Sequence, residues 1–179
     1  MKAFLIAAAS LTASVATLAL AAPASAQTAP YSGVSWYGNL GYTDFNPNNA
    51  NVSAITGRLG ARFGQYFGVE GELSGGIGDS HIDGASVHLQ NQEAIYGVGF
   101  LPIAPNADLF ARVGYGGADY KVSANGGDFH GNLQSWNFGA GGQYFFDHAN
   151  GIRLDYTRED ATNHGPDANV WGVAYVRKF

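Results

Sequence analysis

The sequence predicts an all-β protein: an eight-stranded antiparallel up-and-down transmembrane β-barrel, preceded by a cleavable signal peptide. Three observations predict this fold class. The chain begins with an apolar export-like segment, the remainder alternates between apolar and polar residues, and short and long connections separate the alternating segments. Charged residues are 13% of the 179 residues, about half the share in a soluble domain. A net charge of −5 without a Lys/Arg run argues against nucleic-acid binding.

Residues 1–26 have the three parts of a secretory signal peptide. Lys2 gives a positive start, residues 4–22 are apolar, and Ala24-Ser25-Ala26 is a small-residue cleavage site. We expect cleavage after Ala26 and a mature barrel domain of residues 27–179. The alternative is a retained membrane anchor, which the Ala-rich middle and the cleavage triplet disfavour. The chain has no Cys, so no disulfide stabilises the exported protein.

The mature chain contains eight segments that alternate with a period of two. Their lengths are close to the ~9–11 residues that a tilted strand needs to cross a bilayer. The predicted strands are Val34–Thr43, Ala54–Gly64, Phe67–Ser74, Glu93–Leu101, Leu109–Ala118, Ser135–Tyr144, Gly151–Arg158 and Val170–Phe179.

The connections between these strands fall into two classes. Three are short (64–66, 102–108 and 145–150), and four are longer and rich in Asn, Asp, Gly and Ser (44–53, 75–92, 119–134 and 159–169). A membrane barrel sorts its connections into short periplasmic turns and long extracellular loops. A soluble sandwich has no reason to do so.

The two faces of the predicted strands differ in charge. One face is apolar and uncharged and is expected to contact lipid; in the fourth strand it consists of Ala94, Tyr96, Val98 and Phe100. Aromatic girdles are expected at its turn end (Phe63, Phe67, Phe100, Tyr144, Phe145, Phe146, Phe179) and at its loop end (Tyr42, Tyr115, Trp136, Tyr156, Trp171). The alternative is that these aromatics fill a soluble core.

The other face combines ionisable residues with glycines and small polar groups, which suits a narrow interior. It carries four arginines and four acids, and we expect them to form an ion-pair network in the lumen: Arg58, Arg62, Glu70, Glu72, Glu93, Arg112, Arg153 and Asp155. The equal numbers favour pairing, because an unpaired charge in a dry lumen is costly. One strand register sets Arg58 opposite Glu72, and another sets Arg62 opposite Glu70. A polar plug is favoured over an ion path.

The last predicted strand has outward residues at Trp171, Val173 and Tyr175 and ends in Phe179. Together with the signal peptide and the eight strands, this pattern resembles the small outer-membrane β-barrel family, which includes the OmpA-type transmembrane domain and the opacity-protein-like barrels. The resemblance implies that the barrel assembly machinery reads these four residues as an assembly signal. Arg177 departs from the pattern, since the family usually has an apolar or aromatic residue there.

The same resemblance implies a location and partners. It places the protein in the outer membrane of a Gram-negative bacterium, in contact with outer-membrane lipid and lipopolysaccharide. The loops would then be available to an extracellular partner. No cofactor is implied.

Some outer-membrane barrels of this size modify lipid A with Ser and His side chains. The nearest candidates here are Asp79, Ser80, His81, Asp83, Ser86 and His88, in the second long loop. The chain lacks a His-x-Ser motif, so these residues are interpreted as solvated loop residues. A metal site formed by Asp79, His81, Asp83 and His88 is disfavoured because such loops are common without metal. No catalytic or metal site is predicted.

We therefore expect a structural outer-membrane β-barrel with a plugged polar lumen, whose loops serve surface interaction or envelope integrity. Three alternatives remain: a small-solute pore, a lipid A-modifying outer-membrane enzyme and a soluble periplasmic ligand-binding barrel.

Overall fold

The computed structural model describes residues 33–47, 52–77, 79–82, 85–124, 127–162, 165 and 167–179. The predicted signal peptide lies outside the described residues. Nine strands are formed: β1 (Val34–Pro47), β2 (Val52–Phe63), β3 (Phe67–Gly76), β4 (Asp79–Ile82), β5 (Ala85–Ala104), β6 (Ala107–Ala124), β7 (Gly127–Phe145), β8 (Asn150–Ala161) and β9 (Ala168–Lys178). No helix among these residues is long and apolar enough to span a membrane.

Eight of the strands form a closed antiparallel ring. Neighbours in sequence pair with one another, β1 also pairs with β9, and the ring closes between β3 and β5. β4 pairs with β5 and extends the wall at the loop end. Closure gives every wall strand two partners, which a bilayer requires because lipid cannot satisfy a free backbone edge. The predicted eight-stranded antiparallel barrel is confirmed.

Three strands are much longer than predicted. β5, β6 and β7 have 20, 18 and 19 residues. Pairing of β6 with β7 continues to Ala124 opposite Gly127, and pairing of β4 with β5 continues to Ile82 opposite Ala85. The prediction of long loops at 75–92 and 119–134 is therefore wrong in large part. Polar residues beyond the bilayer still form ladder hydrogen bonds, so loss of the apolar pattern does not mark a strand end.

Large apolar side chains cover the outside of the barrel, and charged side chains lie inside. Trp36, Leu40 and Trp171 are 53–61% exposed, whereas Arg153 is fully buried and Glu70 is 1% exposed. This distribution is the reverse of that in a soluble protein and is the one that a lipid-facing wall requires.

The predicted faces are wrong for one strand, β5. Glu93 and Ile95 point outward, and the side chains predicted to face lipid point into the lumen: Tyr96 (1% exposed), Val98 (3%) and Phe100 (4%). The register explains this result, because Tyr96 lies opposite Glu70 and Ala94 opposite Glu72. Residues directly opposite each other share a face, so the inward acids of β3 turn the aromatics of β5 inward.

Aromatic belts remain at both ends of the outer wall. The turn-end belt consists of exposed Phe63, Phe67, Tyr144, Phe146 and Phe179, whereas Phe100 and Phe145, also predicted there, are buried. The loop-end belt contains Tyr115 packed on Trp136, with ring centroids 5.3 Å apart, and Tyr156 packed on Trp171, at 4.8 Å. The membrane-spanning part of each strand lies between these belts.

Candidate functional site

The lumen is filled by successive layers of side chains. Nearest the turns is an aromatic layer: Tyr37, Tyr96, Val98, Phe100, Phe110, Phe145 and Val176. An ion cluster lies against it: Arg58, Glu70, Glu72, Arg112, Arg153 and Asp155. At the loop end is an apolar cap: Phe45, Val52, Ala54, Ala118, Ala168 and Val170, with Tyr120 packed on it.

Arg58 connects β2 to β3 and β8 within the ion cluster. It lies directly opposite Glu72, and its Nε donates to Glu72 Oε2 at 2.5 Å. Its two terminal nitrogens donate to the two carboxylate oxygens of Asp155 at 3.2 and 3.3 Å. A forked contact of this kind fixes both the guanidinium and the carboxylate.

Arg112, on β6, contacts all three acids of the cluster. Its Nη1 donates to Glu70 at 3.1 Å and to Glu72 at 2.9 Å, and its Nη2 donates to Asp155 at 3.0 Å. Arg153 completes the cluster, since its Nη1 donates to Glu70 Oε2 at 2.7 Å. Three guanidiniums thus neutralise three carboxylates in a buried space, where an unpaired charge would be strongly destabilising.

Arg62 forms a separate ion pair near the turns. Its two terminal nitrogens donate to Asp108 at 3.0 and 3.2 Å, and Gln143 Nε2 donates to the same carboxylate at 2.9 Å. Asp108 was not among the predicted lumen residues, because the sequence pattern placed it in the turn at 102–108. Lys178 lies close by, with its Nζ 3.5 Å from the centre of the Phe145 ring.

Glu93 takes no part in the network, so its inclusion among the lumen residues is wrong. It is exposed on the outer wall, opposite Leu73 of β3 and Gly117 of β6. The physical reason is the β5 register described above. The neighbouring Gln92 points inward in its place and is 2% exposed.

The aromatic layer is linked to the charges above it by cation–π contacts. The guanidinium carbon of Arg112 lies 4.3 Å from the centre of the Tyr96 ring, and that of Arg153 lies 3.9 Å from the centre of Phe110. Tyr37 packs edge-on against Phe100 and donates its hydroxyl hydrogen to Glu70 at 3.0 Å. These contacts let apolar rings and buried charges share one narrow lumen.

Lumen glycines make room for these rings. A Cβ at Gly60 would overlap the Tyr37 ring, one at Gly114 would overlap Tyr96, and one at Gly141 would overlap Phe110. On the outer wall, a Cβ at Gly97 would be no closer than 3.9 Å to its nearest neighbour. Glycine is therefore a steric requirement inside the barrel, opposite the aromatics.

A polar layer separates the ion cluster from the apolar cap. Thr43 donates to Thr56 at 2.7 Å, and Thr56 is hydrogen-bonded to Ser74 at 2.8 Å. Gln92 Nε2 donates to Glu159 Oε1 at 2.6 Å. Glu159 was not among the predicted lumen residues, because the predicted strand ended at Arg158. In the structure Asp155, Thr157 and Glu159 continue one inward alternation.

Of the candidate catalytic and metal residues of the second loop, Asp79, Ser80 and His81 lie on β4, and Ser86 and His88 lie on β5. The backbone register sets Asp79 opposite His88 and Ser80 opposite Val87. Asp83 lies outside the described residues, as do the side chains of the other candidates. No group of three or more His, Asp or Glu residues in the described part of the chain is arranged to hold a metal ion.

The residues of the predicted assembly signal lie at the end of the chain. Trp171, Val173 and Tyr175 are exposed on the outer face of β9, and Arg177 shares that face. Phe179 extends the β9–β1 ladder, since its N–H donates to the Trp36 carbonyl at 2.9 Å, and its ring lies beside Gly38.

Comparison with known proteins places this architecture among bacterial membrane barrels. Residues 7–179 match the sequence model of the family described as outer membrane protein beta-barrel domain. None of the curated proteins is a significant match.

Three solved structures illustrate the likeness in fold. Ail of Yersinia pestis, in complex with the heparin analogue sucrose octasulfate, has a TM-score of 0.57 at 15% identity, covering 82% of this chain and 97% of that one. The N-terminal barrel of Pseudomonas aeruginosa OprF has a TM-score of 0.59 at 12% identity, covering 78% and 96%. OprG of P. aeruginosa has a TM-score of 0.63 at 8% identity, covering 84% and 98%.

Proposed function

We propose, from the premise that the chain belongs to the outer membrane protein beta-barrel family and lies in the outer membrane of a Gram-negative bacterium, that it is a structural barrel with a sealed lumen. Its role would be envelope integrity or surface interaction. The observation that carries the proposal is the filled interior: a neutral ion cluster between an aromatic layer and an apolar cap. Eight strands enclose a space that side chains alone can fill.

The sealed lumen makes a prediction about conductance. Purified protein in planar bilayers should give at most sporadic current steps, because an ion entering the barrel would have to displace paired guanidiniums and packed rings. The competing function, a small-solute pore, predicts large and stable steps that change when Arg58 or Glu72 is replaced. Glu93→Gln is the matched control, because this carboxylate lies on the outer wall and should affect neither outcome. Stable steps lost in Arg58→Gln and retained in Glu93→Gln would contradict the proposal.

We propose that surface interaction, if it is the role, occurs through the tall hairpins of β4–β5 and β6–β7. They extend the wall at the loop end well past Tyr115 and Trp136. A variant in which residues 121–130 are shortened to a two-residue turn should fold and insert normally. Loss of binding of the bacterium to host surface components in that variant would support the role of the β6–β7 hairpin. Unchanged binding both in that variant and in one that shortens the β4–β5 hairpin in the same way would contradict surface interaction and leave envelope integrity as the role.

The assembly signal remains a proposal for Trp171, Val173, Tyr175 and Phe179. The outward exposure of the first three and the terminal position of Phe179 support it. Phe179→Ala should slow insertion by the barrel assembly machinery and leave the barrel, once folded, heat-modifiable in electrophoresis. Unchanged insertion kinetics would refute the assignment.

A non-catalytic role is also part of the proposal. The enzyme alternative predicts that Ser80→Ala or His81→Ala abolishes a modification of lipid A that depends on this protein. Mass spectrometry of lipid A from cells with and without the gene decides between the two, since a structural barrel leaves the profile unchanged.

A further inference from the structure

One buried carboxyl group, that of Glu159, has no salt-bridge partner among the described residues. Glu159 is 6% exposed and lies three residues beyond Tyr156, the belt residue of its own strand. Its neighbours Arg158 and Asp160 form an exposed salt bridge on the outer wall, so the lipid-facing part of β8 has ended before Glu159. Its hydrogen-bond partner is the neutral amide of Gln92, at 2.6 Å. No described cation forms a salt bridge with it, and Arg112 below it is bonded to Glu70, Glu72 and Asp155.

The surroundings of Glu159 disfavour a charge. The apolar cap lies at the same end of the lumen, and the groups that act on the carboxyl electrostatically from β3 and β6 are Glu72 and Arg112. The phenols of Tyr120, also on β6, and of Tyr96, on β5, interact electrostatically with the same carboxylate. Burial raises the pKa of Glu159 to about 7, and the Glu72 carboxylate acts in the same direction.

Gln92 can serve either protonation state of its partner. It is 2% exposed, and its Oε1 has no hydrogen-bond partner among the described residues. An ionised Glu159 accepts a hydrogen bond from Nε2. A protonated Glu159 donates its own hydrogen to Oε1 once the amide rotates by half a turn, which would satisfy the orphaned oxygen.

We propose that Glu159 and Gln92 form a proton-operated switch that sets the packing of the apolar cap. When Glu159 is protonated, both side chains are satisfied and the cap stays closed. When Glu159 ionises, its charge requires water, which enters from the loop end and loosens the cap. The switch opens the loop end of the lumen only, so it is compatible with a barrel that remains sealed by the ion cluster.

The sign of the pH dependence follows from linkage. The carboxyl binds its proton more tightly when the cap is closed than when it is open and hydrated. Closed-cap stability should therefore fall as pH rises from the ordinary pKa of Glu, about 4.3, to the raised value, and level off above it.

Hydrogen exchange measured between about pH 5 and pH 9, corrected for the intrinsic rate, tests the proposal in folded protein in detergent. Amides around Gln92, Ala118 and Val170 should lose protection by up to roughly tenfold per pH unit up to neutrality and then level off. Glu159→Gln keeps a neutral side chain of the same shape and should show a flat profile. Glu93→Gln, which changes the adjacent outward carboxylate, should follow the wild type.

A second measurement keeps the proposal open to refutation if Glu159→Gln fails to fold, as judged by heat-modifiable migration. The ¹³C shift of the Glu159 carboxyl in the wild-type protein should titrate with a midpoint near neutrality. A midpoint at the ordinary value of Glu would overturn the proposal. So would a wild-type exchange profile that is flat, or one that Glu159→Gln reproduces.

Discussion

Strands β5 and β7 alternate glycine with large apolar residues in the same way, but they face in opposite directions. In β7 the glycines Gly139 and Gly141 point into the lumen, and Trp136 and Phe138 face lipid. In β5 the glycines Gly97 and Gly99 are on the outer wall, and Tyr96, Val98 and Phe100 fill the lumen. Residue type alone therefore does not determine which face of such a strand meets lipid.

The comparison teaches that the lumen is filled by complementary pairs across neighbouring strands. The inward rings of Tyr96 and Phe110 each occupy the space left by an inward glycine, Gly114 and Gly141 respectively. A second ring in place of Gly114 or Gly141 would overfill the lumen at these positions, because a Cβ there already overlaps the facing ring. Near the turns two rings do meet: Phe100 and Phe110 lie opposite each other, both point inward, and their ring centroids are 6.3 Å apart.

The largest effect is expected where the lumen charges are unbalanced. Arg112→Met leaves Glu70, Glu72 and Asp155 with two guanidiniums, and breaking a buried ion pair costs about 3–5 kcal/mol. Urea unfolding in lipid vesicles should show this loss of unfolding free energy.

A double variant, Arg112→Met with Glu72→Gln, sharpens this test. It leaves two guanidiniums, those of Arg58 and Arg153, with two carboxylates and so restores the charge balance of the ion cluster. It should recover part of the lost stability. A double variant less stable than Arg112→Met alone would show that charge balance is not what stabilises the cluster.

The next effect tests the glycine–ring pairing directly. Gly60→Ala places a methyl group against the Tyr37 ring and should destabilise the barrel by about 1–3 kcal/mol through overpacking. The matched change on the outer wall, Gly97→Ala, meets nothing within 3.9 Å and should change stability by less than about 0.5 kcal/mol. Equal effects in the same unfolding assay would contradict the difference between the two faces.

The smallest effect is expected at the turn that follows β7. The N–H groups of Ala149 and Asn150 and the Asn150 side chain donate to Asp147, and these hydrogen bonds hold the pKa of its carboxyl below the ordinary value. The contribution of Asp147 is therefore present above the unfolded-state pKa and is lost as pH falls through the lowered one. Asp147→Ala should be slightly less stable at neutral pH and equal to the wild type in acid. A difference that persists in acid would refute this account of the turn.

The sequence was sufficient to predict the barrel because one bilayer determines three features of it: the alternation of apolar and polar residues, the length of the strands, and the difference between short and long connections. It was insufficient at β5, because Gly97 and Tyr96 are each compatible with the lumen or with the outer wall. Only the pairing of β5 with Glu70 and Glu72 of β3 determines which residue points inward. Strand length was underestimated because apolar alternation ends where the bilayer ends. The dipeptides Asp83-Gly84 and Asn125-Gly126, typical of tight hairpins, were signals for longer strands.

The candidate lumen residues were predictable for a related reason. Arg58, Glu70 and Arg112 lie on strands whose other face is uniformly apolar, so their direction follows from the pattern. Asp108 and Glu159 lie at strand ends, where the pattern alone gives no boundary. Their partners, Arg62 and Gln92, come from distant strands that only the closed barrel brings together.

The direction of β5 is the most direct test of a lumen filled by side chains. Since the protein contains no cysteine, single-Cys variants along residues 94–99 each carry one spin label. In lipid vesicles, collision with dissolved oxygen should be frequent for labels at positions 95, 97 and 99 and rare at 94, 96 and 98. The reverse pattern, with frequent collisions at positions 96 and 98 and rare ones at 95, 97 and 99, would mean that Tyr96 and Val98 face lipid. The lumen would then lack these members of the aromatic layer, which would contradict a lumen filled by side chains.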